Sequence, residues 1–136
     1  MEKEFRKDSP PLILPERAMQ FPPTLALALG SSDLALFLQE LHASLLSGGV
    51  CVDKHFWTQE SLDGWHRRFP WWSYSKVRRT IRRLKGFQAY GRNYAIIRSR
   101  VLSGNTASYT IEYGALLSLL QDAKKARTEE REEVMA

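Results

Sequence analysis

Six basic side chains, Lys76, Arg78, Arg79, Arg82, Arg83 and Lys85, fall within one short run, "KVRRTIRRLK". Guanidinium groups present fixed forks of N–H donors that match phosphate oxygens and the guanine edge, so the chemistry on offer is recognition of a polyanion. Ser75 and Thr80 add hydroxyls that can donate to phosphates or bases. Bond-making chemistry has no comparable set of residues. His42, His55 and His66 do not stand at metal-ligand spacing with the single cysteine, Cys51. There is no glycine-rich phosphate loop, no paired-carboxylate constellation and no nucleophile–base pair. The expectation is a non-enzymatic protein with no catalytic residues, no metal and no cofactor.

The basic run needs a helix to aim it. Val77, Ile81 and Leu84 form one apolar stripe at helical spacing, which leaves the cations on the other faces. Ser73 or Ser75 can cap the start, and Gly86 suits the stop. The sequence therefore predicts a helix over 74–85. Directly before it stands "FPWWS", with Phe69, Trp71 and Trp72. Pro70 ends the preceding helix, and the rings can bury beneath the basic helix and fix its angle. Each buried aromatic contributes about 2–3 kcal/mol, which offsets the mutual repulsion of neighbouring arginines. Adjacent residues point in different directions, so Trp72 is expected inside and Trp71 outside. The helix before this turn is "QESLDGWHRRF", with Thr58 as its cap and Trp65 and Phe69 facing the core.

The remaining elements frame that unit. Residues 1–22 are charged and then proline-rich, and read as a flexible arm. Pro23 opens a short helix that Gly30 stops, and Ser31 or Ser32 caps a longer one. In the longer helix Leu34, Phe37, Leu38, Leu41 and Leu45 repeat at helical spacing. "VCVDKHFW" reads as strand, with Cys51 as a small buried residue. From Phe87 the period becomes two: "AYGRNYAIIRSRVL" and "ASYTIEY" read as two strands joined by the turn "SGNT". A C-terminal helix follows, apolar early and then densely charged. The expected division is an arm at 1–22, one domain at 23–120 and a charged helix or tail at 121–136.

Charge is segregated along the chain. The 136 residues carry a formal charge of +5. Between about residues 54 and 100, Lys54, Arg67, Arg68, Arg92, Arg98 and Arg100 join the basic helix, opposed only by Glu60 and Asp63. The other acids gather toward the two ends. This balance favours an anionic partner. A lone cysteine fits a reducing compartment. No segment approaches the roughly 20 apolar residues of a membrane span, and the basic helix lacks the apolar face needed to lie on a membrane. These features predict a cytoplasmic protein.

Helices, strand, helix, basic helix and hairpin follow one another in the order of an α+β fold, a single winged helix-turn-helix domain with a C-terminal helix. The stretches Leu38–His42, Trp57–Thr58, Trp65, Phe69–Ser73, Val77–Leu84 and Tyr109–Tyr113 resemble the winged-helix DNA-binding domain of phage and plasmid replication-initiator, or replisome-organiser, proteins. The resemblance spans roughly residues 24–117 and is most specific at "FPWWS" with its downstream arginines. The resemblance does not extend to the large C-terminal region of full initiators. The resemblance implies a replication or transcription regulator that binds duplex DNA through the helix 74–85 and a hairpin wing. The expected contacts are Ser75, Lys76, Arg78, Arg79, Thr80, Arg82, Arg83 and Lys85 on the helix, with Arg92, Arg98 and Arg100 beyond it. A competing expectation is a protein-binding regulator that uses the domain and its tails to grip host machinery such as RNA polymerase or replication proteins.

Overall fold

The computed structural model describes residues 12–135, which form an α+β fold. Helix α1 (Pro23–Leu29) starts on proline, whose fixed φ suits a first helical turn, and ends at Gly30 in the left-handed region at φ 65°. Helix α2 (Ser32–Gly48) is capped by Ser31, whose Oγ accepts the Leu34 N–H at 3.2 Å. Its stripe of Leu34, Phe37, Leu38, Leu41 and Leu45 is fully buried, as its spacing predicts.

Strand β1 (Val50–Val52) turns through Asp53 and Lys54 into β2 (His55–Ser61). All of β1 is exposed, Cys51 included, because β1 is the edge of its sheet. The expectation of a buried cysteine is thereby corrected. Strand β2 also runs further than its composition suggested. Thr58 to Ser61 find ladder partners in β6 (Thr106–Ile111), so Ser61 rather than Thr58 caps α3 (Leu62–Arg68). Gly64 leaves room in α3 for the Glu60 carboxylate, which a Cβ there would meet at 1.8 Å and push aside. That carboxylate is held over the helix by Arg68 at 3.0 Å.

Helix α4 (Tyr74–Lys85) is the basic helix and ends at Gly86. The segment after it departs from the single strand expected. Tyr90 and Gly91 both take positive φ, at 54° and 68°, and fold the chain into a small hairpin of β3 (Phe87–Ala89) and β4 (Arg92–Tyr94). Two central residues with positive φ match the twist of a tight hairpin. Strand β5 (Ile97–Ser103) begins only after this excursion and pairs with β6. The larger sheet has the order β1-β2-β6-β5, antiparallel throughout. Tyr113, read as the end of a strand, instead opens α5 (Tyr113–Met135), which runs unbroken past residue 120.

One face of the sheet supplies Ile97, Ala107, Tyr109 and Ile111 to the core shared with α2, α3 and α4. The inner end of α5 adds Leu119 and Ala123. Residues 1–11 of the expected arm lie outside the described residues. Further along, Arg17 reaches Glu40 at 3.0 Å, and Met19 and Phe21 pack on the core. No helix among the described residues is long and apolar enough to cross a membrane.

Candidate nucleic-acid interface

Stacked aromatic rings set the start of α4. Phe69 lies 4.4 Å from Trp72 with nearly parallel planes and 5.6 Å from Phe37 of α2, while Phe37 lies 4.7 Å from Trp65. Trp72 is 3 % exposed and Trp71 is 60 % exposed, which matches the opposed directions expected of adjacent residues. The Trp72 N–H donates to the Phe69 carbonyl at 3.0 Å and closes the turn. Ser73 then caps α4, accepting the Lys76 N–H at 3.1 Å. The Lys76 ammonium sits 2.6 Å from Asp33 of α2 and 5.0 Å from the Trp72 ring centroid. Lys76, one of the expected contacts, is partly buried and ties α4 to α2.

Below this seat, Val77, Thr80, Ile81 and Leu84 are buried. Thr80 is 5 % exposed, so its hydroxyl does not face solvent. Its position, three after Val77, places it on the core stripe, which removes it from the expected contacts. The outward face is left to Ser75, Arg78, Arg79, Arg82, Arg83 and Lys85, all exposed. None of these five cations makes an ion pair or a side-chain hydrogen bond among the described residues. Arg78, Arg82 and Lys85 form one wall of a groove of about 280 Å³. Ser99 and Val101 of β5, with Gly104 and Asn105 of the β5–β6 turn, form the other.

The three arginines expected to extend this surface go elsewhere. Arg92 stands on β4 and pairs with Asp122 of α5 at 2.8 Å. The Tyr94 hydroxyl donates to the same carboxylate. Burial and that bond push the tyrosine above its ordinary pKa, while the Tyr94 bond and then Arg92 hold the Asp122 carboxyl below its own. Arg98 and Arg100 lie on the sheet face turned away from α4. Strand parity requires this, because Ile97 and Ser99 point toward the helices. Arg98 pairs with Glu112 at 2.8 Å, and the two guanidiniums stand 5.6 and 5.4 Å from the Trp57 ring centroid.

The groove wall on β5 and the turn was absent from the expected contacts, although a signal for it existed. In "IIRSRV" the buried Ile97 fixes which alternate residues look toward α4, and they are Ser99 and Val101, not the arginines. Comparison with protein-family models, with curated proteins and with solved structures found no match for this chain.

Proposed function

We propose that this chain is a winged helix-turn-helix protein that binds duplex DNA, with α4 as the recognition helix and the β5–β6 hairpin as the wing. The observation that carries the reading is the set of five exposed α4 cations without ion-pair partners among the described residues, beside a groove whose other wall is a hairpin. Elsewhere among the described residues Arg17, Arg68, Arg92 and Arg98 each pair with an acid, and exposed cations without an ion pair, such as Lys54, Arg67 and Arg100, are spread over separate elements rather than gathered on one helix face. A surface that concentrates unpaired guanidiniums on a rigid helix fits phosphate and base-edge contacts. Two further features agree. The element sequence α2-β2-α3-α4-β5-β6 has the winged-helix order, and the third strand of that set lies between the other two in the sheet. The resemblance to replication-initiator domains suggests a phage- or plasmid-type replication or transcription regulator.

The test is binding of the purified chain to labelled duplex DNA across a salt series. With about five to seven phosphates engaged, log K should fall against log salt with a slope of about −4 to −6. Replacing Arg78, Arg79, Arg82 and Arg83 together with alanine should weaken binding by at least about 100-fold, or 2.7 kcal/mol, with the fold retained. A folded wild type that fails to bind duplex at low salt overturns the reading.

A further inference from the structure

On the far side of the sheet from α4, β1, β2, β6 and β5 form an open face that no helix covers among the described residues. A groove of about 450 Å³ crosses it, lined chiefly by Val50, Val52, Trp57, Gln59, Arg100 and Leu102. This falls in the range of pockets that bury a ligand. Three of the apolar walls are strongly exposed: Val50 65 %, Val52 47 % and Leu102 46 %. They come from both edges of the sheet and line one groove with Trp57, so they form a patch rather than scattered single residues.

The charges on this face select the occupant. Its acid, Glu112, is taken up by Arg98 at 2.8 Å and His55 at 3.2 Å. Arg100 has no acidic partner among the described residues and lies against Trp57. We infer that this outer sheet face is a docking surface for an acidic peptide segment of a partner protein, which seats an apolar side chain against Trp57, Val50 and Leu102 and a carboxylate on Arg100. A nucleic-acid strand fits less well. It needs a row of free cations to follow its phosphates, and here Arg98 is already engaged. The aliphatic walls give a phosphate backbone nothing to bind. The dimensions agree with a peptide. Four strands span about 14 Å at the usual inter-strand spacing, which an extended segment of about five residues crosses. Because this face and α4 lie on opposite sides of the sheet, the chain can hold DNA and a protein at once.

The experiment probes the full chain with a labelled array of peptides about ten residues long, each placing carboxylates beside one Leu, Phe or Trp. Matched peptides carry lysine for the carboxylates or serine for the apolar residue, and a single-stranded oligo-dT is the nucleic-acid arm. Acidic–apolar peptides should bind better than both matched controls. Arg100→Glu should weaken them by about tenfold or more, while the four-alanine α4 variant should bind them as the wild type does. Duplex DNA affinity of Arg100→Glu should stay within about threefold. If Arg100→Glu does not fold, Leu102→Ser supplies the same test through the apolar wall. The inference is overturned if no acidic–apolar peptide exceeds its lysine-matched control. It is equally overturned if the α4 variant loses the peptides, or if oligo-dT binds in a manner that Arg100→Glu abolishes.

Discussion

The two faces of the sheet carry arginine in opposite ways. On α4 the guanidiniums project into solvent from a helix whose other side is locked into the core, and they meet no acid among the described residues. On the outer face Arg98 and Arg100 lie against an indole, and Arg98 is neutralised by Glu112. The same residue type therefore presents a dense positive field on one side and a mixed apolar and cationic surface on the other. A count of basic residues along the sequence merges these surfaces. What separates them is the pairing of each cation and the parity of the strand that bears it.

The comparison can be broken most forcefully at the aromatic seat, which only the α4 face requires. Trp72→Ala removes a buried ring stacked on Phe69 and should cost about 3–5 kcal/mol of stability. Trp71→Ala should cost under about 1 kcal/mol, since that side chain is mostly exposed. Denaturant melts of the two variants decide this. Equal and small losses would mean that the rings do not set the position of α4.

A sharper division lies within α4 itself. Arg78 and Arg82 line the groove against the hairpin, whereas Arg79 and Arg83 do not. If the duplex is gripped between helix and hairpin, the double variant Arg78→Ala/Arg82→Ala should lose about tenfold more affinity than Arg79→Ala/Arg83→Ala, a difference of about 1.4 kcal/mol. Anisotropy titrations at fixed salt compare them directly. Equal losses would indicate a contact set by field strength alone, without the groove.

Arg92→Ala should produce a smaller effect, below about threefold on duplex affinity, because its guanidinium is committed to Asp122. It is one of the residues that composition alone assigned to the binding surface, and its location shows how far the sequence was legible. Helical stripes were readable because a period of three to four residues registers directly as burial: Leu34 to Leu45 and Val77 to Leu84 lie as their spacing dictates. The seat was readable too, from Pro70 and from the adjacency of Trp71 and Trp72. Thr80 escaped because a β-branched polar residue on a core stripe looks, in sequence, like one on an open face. The 87–103 region was misread for a different reason. Two short strands with a tight Tyr90-Gly91 turn carry the same alternation as one long strand, and only the pairing of Phe87 with Tyr94 distinguishes them. Once that hairpin forms, Arg92 is carried toward α5 and away from α4.

The weakest effect expected concerns the contact that keeps Arg92 there. The folded-state pKa of Asp122 is depressed, first by the Tyr94 hydroxyl and also by Arg92. A carboxyl with a depressed folded pKa adds stability above its unfolded value, near 3.8, and loses it as pH falls through the lower folded value. Wild-type stability should therefore decline on the acid side of that value by more than the stability of Asp122→Asn, which has no proton to take up. The asparagine variant should be the less stable of the two at neutral pH and should converge with the wild type in acid. Melting temperatures of both proteins across an acid pH series test this. Parallel curves would mean that Asp122 is not the group that anchors β4 to α5. Arg92 would then be free to turn outward, and the contrast between paired and unpaired cations would no longer account for its absence from the α4 face.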